Sequence, residues 1–251
     1  MRHLVAFLGL SVALVACGRD AAPAPGRAAP ATAPADTEAA GIRFIEIVTG
    51  GANASDSLPL VVGIHGLGGS PEHFGSVLSS LSVRARLILP YGLEAYGEGF
   101  SWFPIWRDDA ELAAGTRRAA DRLAAMIDEL VRRRPTTGKP IVTGFSQGGM
   151  LSFGLAVLHP ESVRAAFPIS GLLARSLWPD EWPASREKPR VHALHGTADE
   201  RVSIAEARAT VRRLKEIGLS ADLVEYPGVT HTVTAEMRRD VVQAITQALN
   251  P

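Results

Sequence analysis

From Ile42 to Leu249, short apolar runs alternate with helical patterns, and this alternation limits the fold more than any other feature of the chain. Ile42 to Val48 (IRFIEIV) alternates apolar and polar residues in the manner of a half-buried strand. Leu60 to Ile64 and Arg86 to Leu89 are short apolar runs closed by turn residues, which suits buried strands. Asp109 to Arg134 is Ala-rich and helical in pattern, with Leu112, Leu123, Met126, Ile127 and Leu130 on one side and Pro135 as its stop. The remainder predicts strands at Ile141 to Gly144, Ala165 to Ile169, Arg190 to Leu194 and Ala221 to Tyr226. Helices are predicted at Gln147 to Leu158, Ile204 to Ile217 and Thr234 to Leu249. Strands that alternate with helices imply an α/β fold, a mostly parallel central sheet with helices on both faces. Ligands in such sheets bind beyond the carboxyl ends of the strands.

Upstream of this pattern the composition changes. Met1-Arg2-His3 is a short basic start, and Leu4 to Val15 is an apolar run too short to span a bilayer comfortably. The following Leu14-Val15-Ala16-Cys17 resembles the lipobox of bacterial lipoproteins. That resemblance implies a signal peptide over 1–16 and a lipid-bearing Cys17 at the mature N-terminus. Residues 17–40 are rich in Ala and Pro with almost no large apolar side chain, and read as a disordered tether. The fold would then occupy 41–251. Gly18 stands where proteins retained at the inner membrane carry Asp, so the expected location is the periplasmic face of the outer membrane.

Gly144-Phe145-Ser146-Gln147-Gly148 has the form G-x-S-x-G. Five residues of this form arise by chance about once in seven chains of this composition, so its neighbours must supply the meaning. An apolar run precedes the serine and a helical stretch follows it. A serine lifted above a sheet in a sharp strand-to-helix turn is a nucleophile, and glycines flank it because side chains there would collide with backbone.

A serine hydroxyl needs a base to take its proton and an acid to orient that base. Among the seven histidines, His231 follows the last predicted strand in a loop, at the sheet's carboxyl end. His159 closes a helix, and His192 and His195 belong to a strand and its turn, so these read as structural. Asp199 follows the strand before His231 and is the candidate acid; Glu200 beside it and Asp222 are rivals. The oxyanion of an acyl-transfer intermediate needs preorganised N–H donors. Gln147, directly after the nucleophile, would supply one. Leu67, in the His65-Gly66-Leu67-Gly68-Gly69 loop after an early strand, would supply the other. Trp102, Phe103 and Trp106 form an aromatic cluster that is a candidate for lining an acyl pocket, with Leu172 and Leu173 after Ser170-Gly171 as second candidates.

With 26 Lys+Arg against 26 Asp+Glu the net charge is +0, so no basic field gathers phosphates and nucleic acid is not an expected partner. Cys17 is the single cysteine, which excludes an intramolecular disulfide. No Cys/His cluster with metal-ligand spacing occurs.

With these residues in place, the chain resembles the phospholipase/carboxylesterase family, which includes the acyl-protein thioesterases. The likeness runs from His65-Gly66-Leu67-Gly68 through Gly144-Phe145-Ser146-Gln147-Gly148-Gly149 to Asp199 and His231. It implies an α/β-hydrolase fold with little or no cap, and cofactor-free hydrolysis of carboxylic esters or thioesters. Once signal and tether are set aside, about 210 residues leave little chain for a large lid, so an open site that favours small esters with short or medium acyl chains is expected. The thioesterases tend to carry Asp at the positions of Gly69 and Pro104, so long-chain protein deacylation is not expected. A lipase, lysophospholipase or thioesterase with the same triad, and a non-catalytic binding lipoprotein on the same scaffold, are the alternatives.

Overall fold

Three strands, β3 (Leu60–Ile64), β4 (Arg86–Pro90) and β7 (Ile141–Phe145), form the middle of the computed structural model, which describes residues 36–250. Nearly every residue of the three is buried, because helices cover both faces of a parallel sheet; this is why their sequences are continuous rather than alternating apolar runs. The sheet has eight strands in the order β1-β2-β4-β3-β7-β8-β9-β10. Its other members are β1 (Asp36–Ala39), β2 (Ile42–Val48), β8 (Ala165–Ile169), β9 (Arg190–Gly196) and β10 (Ala221–Tyr226). β2 runs antiparallel to β1 and β4, and all other pairings are parallel.

The helices divide between the two faces. α2 (Asp109–Arg133), α3 (Gln147–Leu158) and α4 (Ile204–Glu216) pack one apolar layer, which contains Leu123, Ile127, Phe153 and Leu214. α1 (Pro71–Val77) and α5 (Ala235–Leu249) pack the other, with Phe74, Val77, Val241 and Ile245. α2 begins at Asp108, whose side chain accepts from Glu111 N. It ends at Arg134, which is extended because Pro135 follows. The chain leaves β3 for β4 through α1 on one face, then returns through α2 on the other to form β7 beside β3. The β3–β7 boundary is therefore the switch point at which a crevice opens.

Three segments differ from the sequence expectation. Residues 36–39 fall inside the expected tether yet form β1, so the folded body begins before residue 41. Three of the four residues of β1, Asp36, Glu38 and Ala39, are of types depleted in strands. α2 holds it: the Ala40 N–H donates to Glu129 Oε2 at 2.8 Å, and Arg133 donates to the Glu38 carbonyl at 2.8 Å. α1 had no periodic signal, because only Pro71, Phe74 and Val77 face the core. A short hairpin, β5 (Glu94–Tyr96) with β6 (Gly99–Ser101), precedes Trp102, where no strand was expected. The expected signal peptide, Cys17 and the tether through residue 35 lie outside the described residues. Among the described residues no helix is long and apolar enough to cross a membrane.

Candidate active site

Ser146 occupies the turn between β7 and α3 with φ 57° and ψ −116°, a left-handed conformation that side chains rarely adopt. The surroundings over-determine it. Ser146 N donates to Ile169 O at 3.0 Å, and Met150 N donates to Ser146 O at 2.9 Å. A Cβ on Gly148 would overlap the Ile64 carbonyl, and one on Gly144 would overlap the backbone of Gly148. Glycine at both positions lets β3, β7 and α3 meet closely enough to make the turn.

The serine hydroxyl is not spent on capping α3. It donates instead to Nε2 of His231 at 3.0 Å. On the other side of the ring, Nδ1–H of His231 donates to Oδ2 of Asp199 at 2.7 Å. A carboxylate only accepts, so the proton is on Nδ1 and Nε2 is left to accept from the serine. The Phe145 ring lies 4.8 Å from the imidazole, centroid to centroid, and fixes its plane.

Asp199 is held as firmly as His231. Its Oδ1 accepts from the N–H groups of Arg201 and Val202, each at 2.9 Å. Burial would raise this carboxyl, but the Val202 N–H, His231 and the Arg201 N–H together outweigh burial and hold it below the ordinary carboxylate value. His195 packs behind it, buried, with Nε2–H donating to Val202 O at 2.9 Å. Desolvation lowers the pKa of His195, so a neutral ring lies 3.4 Å from Asp199 Oδ2. The strand histidine therefore has a place in the support of this site, although the sequence showed only a structural residue. Of the two other acid candidates, Glu200 is exposed and Asp222 pairs with His192.

The loop after β3 lies against the elbow. Gly68 N donates to Phe100 O and Gly69 N to Gly66 O, while among the described residues no group accepts from Leu67 N. Gln147 is the first residue of α3, so its own N–H has no partner within the helix. The structure thus leaves unused the two donors that the sequence singled out. His65 ties the loop down: Gly92 N donates to its Nε2 at 3.1 Å, so Nδ1 carries the proton and donates to Gly66 O at 2.7 Å. Burial lowers the His65 pKa and keeps the ring neutral in this double role.

Trp102 and Phe103 do not line the site; they are 0% and 1% exposed in the α2–α3–α4 core. The Gln147 side chain explains why. Its Oε1 accepts from Trp102 N at 3.1 Å and its Nε2 donates to Phe103 O at 2.8 Å, so this backbone is tied to the elbow and the rings turn inward. Trp102 Nε1 donates to His65 O at 2.9 Å, which props the loop from below. Leu172 and Leu173 belong to the same core and are likewise absent from the cavity wall.

The cavity above Ser146 has a volume of about 880 Å³. Phe74, Val77 and Val233 form its wall on the α1–α5 side and Trp106 and Val202 on the other, and Ile105 also lines it. Of these six, only Trp106 was singled out from the sequence. Phe74 and Val77 lie on the helix that had no periodic signal, and Ile105 is a 61% exposed aliphatic residue visible as such only in three dimensions. A hydroxyl hydrogen-bonded to an imidazole, an imidazole oriented by a carboxylate, and two unused N–H donors beside the hydroxyl are the parts that acyl transfer requires.

Several known proteins are similar to this chain. A protein of Oryza sativa subsp. japonica named as a probable carboxylesterase is 29% identical over 143 residues, which cover 54% of this chain and 53% of the relative. The lysophospholipase-like protein 1 of Mus musculus is 28% identical over 134 residues, covering 53% and 56%. The chain thus spans little more than half the length of these curated relatives. Among solved structures, the esterase PE8 superposes with a TM-score of 0.71 at 23% identity, covering 83% of this chain and 99% of its own; this shows a shared α/β-hydrolase fold. The sequence profile of the phospholipase/carboxylesterase family matches residues 46–249, and the chain belongs to that family.

Proposed function

We propose that this protein is a serine esterase that cleaves small carboxylic esters through an acyl-enzyme. The observation that carries the reading is the unbroken hydrogen-bonded line from Ser146 through His231 to Asp199 at the cavity floor. In this reading Ser146 Oγ attacks the ester carbonyl carbon while its proton passes to His231 Nε2. Leu67 and Gln147 N–H groups hold the carbonyl oxygen as it becomes negative. The C–O bond to the alcohol breaks, His231 protonates the departing alkoxide, and an acyl-Ser146 ester remains. A water molecule, giving its proton to His231, then hydrolyses that ester and restores the serine. Asp199 stays ionised and keeps the ring in the required tautomer.

The apolar strips of the cavity favour short or medium acyl chains. These few side chains can cover a few methylenes, and each buried methylene contributes about 0.8 kcal/mol, roughly fourfold in kcat/KM. With p-nitrophenyl esters from acetate to palmitate, kcat/KM is expected to peak between butyrate and octanoate. A fluorophosphonate should label Ser146. A steady rise to palmitate, or a rate jump above the micelle concentration, would replace this reading with a lipase or lysophospholipase. Absence of labelling would remove the serine mechanism altogether.

The anchor belongs to the same proposal. The apolar run Leu4 to Val15 followed by the single Cys17 supports a lipid-modified N-terminus at the periplasmic side of the bacterial outer membrane. Wild type should sediment with membranes, and Cys17→Ser should be soluble with unchanged kcat/KM. Intact-mass measurement of the purified mature protein that finds no acyl mass on Cys17 overturns the anchor.

A further inference from the structure

The cavity wall is charged in one sense only. Arg201, in the turn between β9 and α4, and Arg238, in α5, both line it, and among the described residues that line it there is no Asp or Glu. Some guanidinium groups pair with carboxylates, as Arg175 does with Glu206 and Arg208 with Glu225. Among the described residues Arg201 and Arg238 make no such ion pair, and their hydrogen bonds are those of their backbone N–H groups.

Arg238 is the more telling of the two. It is the fourth residue of α5, near the helix end where a positive charge is disfavoured. It is half-buried and lines the cavity without a carboxylate partner. Its neighbour Arg239 is exposed and shows what an ordinary solvated arginine looks like on this helix. Arg238 shares the α1–α5 side of the cavity with Phe74, Val77 and Val233, the wall along which one arm of a bound ester would lie. A guanidinium presents a planar fork that suits a carboxylate or phosphate.

We infer that the site selects esters carrying their own negative charge, a carboxylate or a phosphate on the arm that lies along α5, and that Arg238 is the selecting residue with Arg201 assisting. This rests on the serine esterase reading and names its substrate class.

The test uses the full-length protein at low salt and two matched pairs of esters. One pair is mono-p-nitrophenyl glutarate against p-nitrophenyl pentanoate, which places a carboxylate on the acyl side. The other is 1-butyrylglycerol 3-phosphate against 1-butyrylglycerol, which places a phosphate on the alcohol side. In at least one pair the charged ester should have at least a fivefold higher kcat/KM, and the pair that responds identifies the anion and its arm. Arg238→Gln should bring that ratio near one through KM while leaving the neutral ester within twofold, and Arg238→Lys should retain part of it. A preference below fivefold in both pairs overturns the inference. So does an Arg238→Gln variant that lowers both members of a pair equally, or a preference that disappears with Arg201→Gln alone. Hydrolysis of the neutral esters without preference leaves the esterase reading standing, whereas no hydrolysis of any of the four removes both.

Discussion

Ser146→Ala should lower kcat for p-nitrophenyl butyrate by about 10⁴-fold, with the melting temperature close to that of wild type. The two effects separate because the elbow is held by backbone. Ser146 N to Ile169 O and Met150 N to Ser146 O both survive the substitution, and alanine places its Cβ where serine does. The left-handed conformation costs the same in both proteins. Only the hydroxyl and its hydrogen bond to His231 are lost, a change of about 1 kcal/mol in stability. The remaining rate over water would come from the N–H donors and substrate binding. A pure variant retaining a tenth of wild-type kcat removes Ser146 from the role of nucleophile.

Asp199→Asn should cost about 10³- to 10⁴-fold in kcat, and Glu200→Gln almost nothing. The amide cannot sit in the site either way round. Oδ1 accepts from two backbone N–H groups, so the amide oxygen must take that position and the NH₂ must face His231. An NH₂ donates, which forces Nδ1 to accept and moves the imidazole proton to Nε2. The ring then presents a donor to Ser146 and cannot take its proton. Stability should carry a second signature. The folded Asp199 carboxyl titrates below its ordinary value, so its stabilising contribution is present above the ordinary carboxylate range. That contribution is lost as pH falls through the lower folded value. The Asn variant should therefore lose less stability than wild type on acidification through this window, measured as melting temperature against pH. A Glu200→Gln variant that loses more activity than Asp199→Asn would move the acid to Glu200.

The parts of this molecule that could be read from sequence are those whose residues serve one purpose. Val61, Val62, Ile141 and Val142 are buried between helices on both sides, so composition alone identifies their strands. α2 repeats its apolar positions over 25 residues, and a long period is hard to mistake. Ser146, Asp199 and His231 were brought to one place by chain order and strand ends, because the topology leaves few positions above the sheet. What could not be read depends on contacts distant in sequence. β1 is a strand because α2 binds its backbone. Trp102 is an aromatic residue near a Gly-rich loop whether it lines a pocket or supports one, and only the grip of Gln147 on its backbone decides. Arg238 looks like any helix-surface charge until its half-burial and lack of a counter-charge are seen.

The sheet runs beneath the cavity and separates its two walls into different packing layers, Phe74, Val77 and Val233 on one side and Trp106 and Val202 on the other. Substitutions in separate layers share few neighbours, and such changes combine nearly additively. The two walls of the cavity can thus diverge independently during evolution, one mutation at a time, without a change on one wall requiring compensation on the other. A scaffold of this kind can acquire new acyl and alcohol preferences by recombination of single-wall variants.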